Sequence, residues 1–202
     1  MSGQVDSYMT IREPSRGLFR DRGSKFIALA FPVTDVSETK IIIERVRKEY
    51  HDARHHCYAY MVGPDRLLWR TNDDGEPSGT AGKPILGQIN SHNLTDLIII
   101  VVRYFGGTLL GTSGLINAYR NASADAINNS VIITREVMIM IEIKFRYESL
   151  NDVMKILKEC HADLRDQHFD TECRISVSLP RSAEKATRDR LLKINDMSIS
   201  DG

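Results

Sequence analysis

The chain has 202 residues, enough for one large domain or two small ones with buried cores. Apolar residues make up 42% and charged residues 27%, and the 27 basic side chains balance the 27 acidic ones. Residues 1–136 contain 16 basic and 15 acidic side chains, and the remainder contains 11 and 12. This balance excludes bulk attraction to nucleic acid, so any RNA contact must come from a local arrangement.

Localisation is predicted from the absence of targeting signals. The longest unbroken apolar run, residues 97–102, is far below the roughly 20 residues that a membrane span requires. The first residues, MSGQVDSYMT, lack a basic start and an apolar core, so we expect no secretory signal. The chain has three cysteines, Cys57, Cys160 and Cys173, which is an odd number, and none forms a CxxC motif. This pattern favours free thiols in a reducing cytoplasm.

Patterning in the first part of the chain predicts a mixture of strands and helices. Asp35, with Glu38 three residues later, forms a capping-box pattern at the start of a helix. That helix buries residues at helical spacing, namely Val36, Ile43, Val46 and Tyr50. The other predicted elements are strands at 24–31, 56–62, 67–71 and 95–104, with a turn at 63–65, and helices at 84–91 and 113–128. The run LIIIVV within 95–104 predicts a strand buried on both faces.

A second domain is predicted to begin at residues 128–136, where a helical pattern ends and apolar and polar residues begin to alternate as in a strand. We place the domains at 1–132 and 133–202. The predicted elements are strands at 137–145, 173–179 and 197–200, a helix that begins after Ser149, and a helix at 182–194. With one further strand, whose bounds we do not assign, the order strand-helix-strand-strand-helix-strand predicts a ferredoxin-like sandwich, and the whole chain is predicted to be of the α+β class.

The segment RYFGGTLLGTSGL, residues 103–115, joins a buried strand to a helix through a glycine-rich turn. Glycines let a ligand approach the backbone, and the free N–H groups of a helix start attract anions. The candidate anion-binding residues are Arg103, Gly106, Gly107, Gly111, Thr112, Ser113 and Gly114, with Lys83 from another segment. The alternative is that these glycines serve packing alone. The segment is neither a Walker A loop nor a GxGxxG fingerprint, and it forms no GxSxG elbow.

The segment NDDGEPSGTAGKPIL, residues 72–86, is rich in turn-forming residues. Asp73, Asp74 and Glu76 are oxygen donors that could hold a hard cation, although acidic residues in such loops more often act as turn formers and caps. Lys83 is either a partner for a bound phosphate or a solvated lysine.

The segment ARHHCYAY, residues 53–60, brings together residue types that bind zinc. His55, His56 and Cys57 are consecutive, and consecutive residues of a strand point to opposite faces, so we expect no metal. A Cys–His nucleophile pair remains an alternative to a structural role. We assign His55 and His56, together with Asp74, Glu76 and Ser78, to a surface loop region.

These three segments, in this order and spacing, resemble the signature of the YigZ/IMPACT family. The shorter segments EPSRG and GSKFIALAFPV also fit, and the resemblance is strong over residues 12–135. It implies an N-terminal α/β domain like the second domain of a small-subunit ribosomal protein, and a C-terminal ferredoxin-like domain similar to one in elongation factor G. Leu109 stands where the family usually has lysine, which removes a positive charge from the turn.

Three functional hypotheses follow. Eukaryotic members of the family bind the ribosome-associated activator of the starvation-sensing initiation-factor kinase, so the resemblance implies a translation-associated regulatory protein that engages RNA, the ribosome or a translation factor. The alternatives are an enzyme acting on a phosphorylated small molecule, with Asp73 and Asp74 as its carboxylates, and a protein–protein adaptor without nucleic-acid contact. We expect no cofactor and no membrane association.

Overall fold

The computed structural model describes residues 5–170 and 172–202. Contacts divide the described residues into two compact units, one of residues 8–135 and one that combines residues 5–7 with the described residues from 136 to 202. Both units combine helices with sheets, which confirms the predicted α+β class. Among the described residues, no helix has both the length and the apolar character needed to cross a membrane.

The first unit is built on a five-stranded antiparallel sheet with the strand order β2-β3-β6-β4-β5. A separate two-stranded sheet pairs β1 with β7. The elements are β1 (Ser7–Ile11), β2 (Ser15–Asp21), β3 (Ser24–Pro32), α1 (Val36–Glu49), β4 (His55–Val62), β5 (Leu68–Asn72), α2 (Gly82–Ser91), β6 (Leu97–Tyr104), α3 (Gly111–Asn128) and β7 (Ile132–Glu136).

Strand β6 lies at the centre of this sheet and is buried on both faces, as its apolar run predicts. One set of its side chains joins the core beneath α2 and α3, namely Leu97, Ile99 and Val101. The other set joins the core beneath α1, namely Ile98, Ile100 and Val102. The sheet is therefore the middle of three layers, with α2 and α3 on one face and α1 on the other. Side chains that alternate along β6 point to opposite faces and so belong to different cores.

The start of α1 confirms the predicted cap. Asp35 Oδ1 accepts hydrogen bonds from the backbone N–H of Ser37 at 2.6 Å and of Glu38 at 3.1 Å. The side chain of Glu38 reaches back one residue further than a capping box requires, because Glu38 Oε2 accepts from Thr34 N at 2.7 Å. Hydrogen bonds to Ser37 and Glu38 hold the pKa of Asp35 below its usual value.

The second unit contains a four-stranded antiparallel sheet with the order β11-β8-β10-β9. Its elements are β8 (Met138–Arg146), a single 3₁₀ turn (Tyr147–Ser149), α4 (Leu150–Glu159), β9 (Asp163–His168), β10 (Glu172–Pro180), α5 (Arg181–Leu191) and β11 (Ser198–Asp201). Numbered within this unit, the strand order is 4-1-3-2, so the ferredoxin-like prediction is confirmed.

Strand β2 was not predicted, although it forms one edge of the five-stranded sheet. It pairs with β3 through the two-residue turn Arg22–Gly23, and both residues have positive φ, 44° and 80°. This geometry matches the tight hairpin turn that favours glycine at its second position. Gly17 of β2 lies so close to α3 that an added Cβ would approach Ala126 N to 2.3 Å, which explains the glycine within a strand.

Candidate functional site

The three predicted segments meet at one end of the five-stranded sheet. His55 begins β4 and pairs with Arg103 near the end of β6, and Lys25 of β3 pairs with Tyr104. The loop after β6 therefore lies beside the Arg22–Gly23 turn, and an added Cβ on Gly106 would lie 1.9 Å from the Gly23 carbonyl carbon. We call this region, with the loop 73–81 beside β4, the glycine-loop end of the sheet.

A buried ion pair holds this end together. Arg103 Nη1 donates to Glu76 Oε1 at 2.6 Å, and the two side chains are 7% and 3% exposed. The hydroxyl of Tyr119, from α3, donates to the same oxygen at 2.8 Å. The guanidinium of Arg103 also lies over the rings of Phe26 and Phe105, at 5.4 Å and 5.7 Å from their centroids. Arg103 is therefore committed to the fold rather than facing a ligand.

Two residues of the predicted surface loop region are instead buried, which corrects that assignment. Glu76 is enclosed because it accepts hydrogen bonds from Arg103 and Tyr119. His56 lies on the α1 side of β4, where its Nε2 is 3.0 Å from the carbonyl oxygen of Tyr50. Ser78 is exposed, and His55 and Asp74 are half-buried.

The alternation predicted for β4 is confirmed, and it separates the two histidines. Cys57 belongs to the core beneath α2 and α3, whereas Tyr58 and Tyr60 belong to the core beneath α1. His55 shares the face of Cys57, and its Nδ1 lies 2.8 Å from the carbonyl oxygen of Asp74. Within the described residues, no three His, Cys, Asp or Glu side chains are grouped so that they could hold a metal ion.

Cys57 is enclosed by polar groups rather than poised as a nucleophile. Its Sγ lies 2.9 Å from the carbonyl oxygen of Asp73 and 3.2 Å from Tyr119 Oη. Burial raises the pKa of the Cys57 thiol far above its ordinary value, and the carboxylates of Glu76 and Asp74 raise it further. The thiol is therefore protonated at neutral pH, and the thiolate needed for nucleophilic catalysis is disfavoured.

The carboxylate of Asp73 caps helix α2. It accepts hydrogen bonds from three backbone N–H groups, those of Gly79 at 2.8 Å, Ala81 at 3.0 Å and Gly82 at 2.8 Å. These are the donors that would otherwise attract an anion to this helix start. Asp74 is also engaged, because its Oδ2 accepts from His56 N at 2.7 Å and its Oδ1 pairs with Arg47. Both acidic residues thus act as turn formers and caps.

The four glycines of the turn serve two different purposes. Gly106 and Gly114 are packed closely, against Gly23 and against the Cβ of Leu110. Gly107 and Gly111 have positive φ, 87° and 71°, and an added Cβ would meet nothing within 4 Å. The start of α3 has no side-chain cap, and Gly111, Thr112 and Ser113 are exposed there. In this turn, Gly106 and Gly114 therefore serve packing, whereas the helix start at Gly111 is open to solvent.

Basic side chains surround the glycine-loop end. We call these side chains the basic rim: Arg20, Arg22, Lys25, Arg54 and Lys83. Within residues 5–170 and 172–202, no carboxylate oxygen lies within 4.0 Å of their charged nitrogens. Lys25 is half-buried and the other four are exposed. The carboxylates of Glu76, Asp74 and Asp73 are bound internally by Arg103, Arg47 and backbone N–H groups, whereas Asp21 and Asp52 remain near the rim as two negative charges against its five positive ones. A positive surface therefore forms on a chain of zero net charge.

Sequence reasoning did not single out Tyr119 or the arginines of the β2–β3 hairpin. Tyr119 sits among the alanines of the buried face of α3, and a buried hydroxyl in such a face requires a hydrogen-bond partner. The local signal for the hairpin is Gly23, which can adopt the positive φ of a two-residue turn and stands directly before the largely apolar strand β3.

Comparison with known proteins agrees with this architecture. The sequence model of the Impact N-terminal domain matches residues 22–127. IMPACT family member YvyE of Bacillus subtilis (strain 168) is 33% identical over 165 residues, which are 82% of this chain and 76% of that protein. IMPACT family member YigZ of Escherichia coli (strain K12) is 31% identical over 178 residues, 87% of each chain. A crystal structure described as a hypothetical protein superposes with a TM-score of 0.78 at 28% identity, covering 98% of both chains.

The fold and the matched segments define a two-domain protein with an Impact N-terminal domain followed by a ferredoxin-like domain. The chain belongs to the IMPACT family. The family resemblance that the three segments predicted is thereby confirmed.

The buried ion pair generates a first prediction about stability. Glu76→Ala leaves the Arg103 charge buried without a partner, which should cost about 3–5 kcal/mol of unfolding free energy. Urea unfolding can be followed through Trp69, the single tryptophan, which lies in the same unit. The double variant Glu76→Met with Arg103→Met should recover much of the loss, because no charge is then left unpaired.

The matched control for that experiment is Arg47→Met. This change removes the partly exposed pair with Asp74 and should cost no more than about 1 kcal/mol. If Glu76→Ala is no more destabilising than Arg47→Met, the buried pair does not hold the glycine-loop end together.

A second prediction concerns Cys57. Because its pKa is raised and the side chain is fully buried, iodoacetamide at mildly alkaline pH should alkylate the half-buried Cys160 in the folded protein and leave Cys57 unmodified. Peptide mass spectrometry before and after urea unfolding measures both sites. Rapid alkylation of Cys57 in the folded protein would restore the nucleophile hypothesis.

Proposed function

We propose that this chain is a translation-associated binding protein whose first unit engages RNA, the ribosome or a translation factor through the glycine-loop end of its sheet. Membership of the IMPACT family supports this proposal, since the resemblance to the family's eukaryotic members implies regulation of translation. The observation that carries the proposal is the basic rim, whose charged nitrogens have no carboxylate oxygen within 4.0 Å among the described residues, while Glu76, Asp74 and Asp73 are bound internally.

The chemistry of the rim favours RNA phosphates as the groups bound. Arginine and lysine side chains at the surface of a fold supply the non-specific part of nucleic-acid affinity by displacing counterions. The exposed N–H groups at the start of α3 add donors at the positive end of a helix dipole. Because the family's lysine is replaced by Leu109, which is 81% exposed, the cations near this turn are those of the β2–β3 hairpin.

The enzyme alternative loses its main candidates in this geometry. Asp73 is occupied by three backbone N–H groups, and the Cys57 thiol is protonated and buried. A phosphoryl-transfer enzyme requires a carboxylate free to hold a metal ion or orient a nucleophile. Binding, rather than catalysis, is the function that the side chains of this region favour.

Binding of a short single-stranded RNA, measured by fluorescence anisotropy at several salt concentrations, tests the proposal. Three phosphate contacts should give a log–log salt slope of about −2, at about −0.7 per phosphate. Arg22→Glu should weaken binding at low salt and make the slope shallower by at least about 0.7, because one contact is lost. Gly111→Asp should weaken binding by placing a negative charge at the start of α3.

The control is Lys155→Glu, which makes the same charge change on the exposed face of α4 in the second unit. Arg103 is unsuitable as a probe because its substitution would break the buried pair with Glu76. RNA binding in which Arg22→Glu and Gly111→Asp both match Lys155→Glu, or binding that does not change with salt, contradicts the proposal.

A further inference from the structure

Strand β5 forms one edge of the five-stranded sheet, and its start, at the end of the sheet opposite the glycine-loop end, exposes three consecutive large apolar side chains. Leu67, Leu68 and Trp69 are 74%, 57% and 56% exposed. Strand β5 pairs on one side only, with β4, and the pairing runs from Leu68 to Asn72 without a register shift. Proteins usually protect such edges with charged side chains, proline or a bulge; β5 has no proline and no register shift, and its one charged residue is Arg70. Its outward backbone groups can therefore accept another strand.

A cleft of about 540 Å³ adjoins this edge on the α2 side of the sheet. Its walls come from two strands, one turn and one helix, namely Met61, Trp69, Arg66, Leu86 and Asn90. Met61 and Trp69 are paired across β4 and β5, so both side chains point to the same face. A strand added to β5 would direct every second side chain toward the cleft, because side chains alternate between faces.

Arg66 gives the cleft a positive charge that lacks a carboxylate partner. Its Nη2 donates to Asn90 Oδ1 at 2.7 Å, and its Nη1 donates to Asn93 Oδ1. Its Nε is buried and has no hydrogen-bond partner among the described residues. The carboxylate of the adjacent Asp65 turns toward the backbone N–H of Leu67, 3.4 Å away. Two neutral amides alone therefore compensate the guanidinium.

The charge of Arg66 persists despite partial burial. Burial lowers the pKa of Arg66 from its ordinary value, but an arginine side chain remains protonated in proteins at neutral pH. Arg70, exposed on β5, lies on the opposite face of the sheet from the cleft, because its cross-strand partner Tyr60 belongs to the core beneath α1. The uncompensated cation of the cleft is therefore Arg66. Apolar walls combined with this cation favour a ligand that has both apolar and acidic side chains.

We propose that β5 and its cleft bind an extended acidic peptide segment of a partner protein, which pairs with β5 as a sixth strand. One carboxylate of the segment reaches Arg66, and neighbouring side chains of the segment pack against Trp69, Met61 and Leu86. This site is separate from the basic rim, since β5 begins at the opposite end of the sheet. It gives the chain a protein-binding surface whether or not the rim binds RNA.

Selection of peptides from a displayed random octapeptide library against the immobilised full-length chain tests this proposal. We expect enrichment of Asp or Glu at one position among alternating β-branched or aromatic residues. A synthetic peptide of the enriched sequence should shift the emission of Trp69, the single tryptophan, in a saturable manner. Its counterpart with Gln in place of the acidic residue should bind about ten-fold more weakly or worse, since hydrogen bonds to charged groups are the stronger ones.

Arg66→Gln should abolish this discrimination, so that both peptides bind equally weakly, whereas the exposed control Arg12→Gln should preserve it. Thermal unfolding shows whether each variant is folded. No enrichment over a bare surface, enrichment without an acidic residue, or discrimination that persists in folded Arg66→Gln overturns the proposal. Concentration-dependent self-association that Leu68→Lys abolishes would also overturn it, because the occupant of the edge would then be a second copy of the chain.

Discussion

The buried pair between Arg103 and Glu76 is the interaction on which the glycine-loop end depends. The two residues are 27 positions apart, and the pair joins the loop after β5 to the end of β6. Tyr119 brings α3 to the same carboxylate, and Cys57 of β4 lies against the Tyr119 hydroxyl. The loop after β5, β6 and α3 thus meet at one desolvated carboxylate, and β4 contacts this cluster through Tyr119. Such a pair gains little net stability over apolar packing, but a partner lost from it is costly, so it specifies one arrangement.

The consequence of this arrangement is a separation of charge. Three acidic side chains of the region, Asp73, Asp74 and Glu76, point inward or toward the backbone, where the start of α2, Arg47 and Arg103 neutralise them. The basic side chains of the β2–β3 hairpin have no such partners and remain at the surface. Equal numbers of acids and bases over the whole chain are therefore compatible with a locally positive face. Net charge describes the chain, whereas the fold determines which charges meet solvent.

Several elements could be predicted because local physics determines them. The apolar run of β6 has to be buried on both faces, and Asp35 has the side chain that a helix start requires. The ferredoxin-like order requires a strand where β9 lies, but its residues could not be located from the sequence, because all six are exposed and the strand is held by pairing with β10. The Arg103–Glu76 pair also lies beyond local reasoning, since it depends on which strands become neighbours. Because this pairing is invisible in the local sequence, the sequence predicted Arg103 as a ligand-binding cation and Glu76 as a surface residue.

The five-stranded sheet thus presents two chemically different ends, a basic rim around the glycine-rich turn and an apolar edge at the start of β5. The central claim is that the rim connects this protein to the translation machinery. Co-sedimentation with ribosomes from lysate, with and without RNase, tests that claim most directly when the wild-type chain is compared with a variant carrying Arg20→Glu, Arg22→Glu and Lys25→Glu. The account predicts that the wild-type chain co-sediments, that RNase releases it, and that the folded triple variant stays in the supernatant. Equal co-sedimentation of both proteins, or of neither, would contradict it.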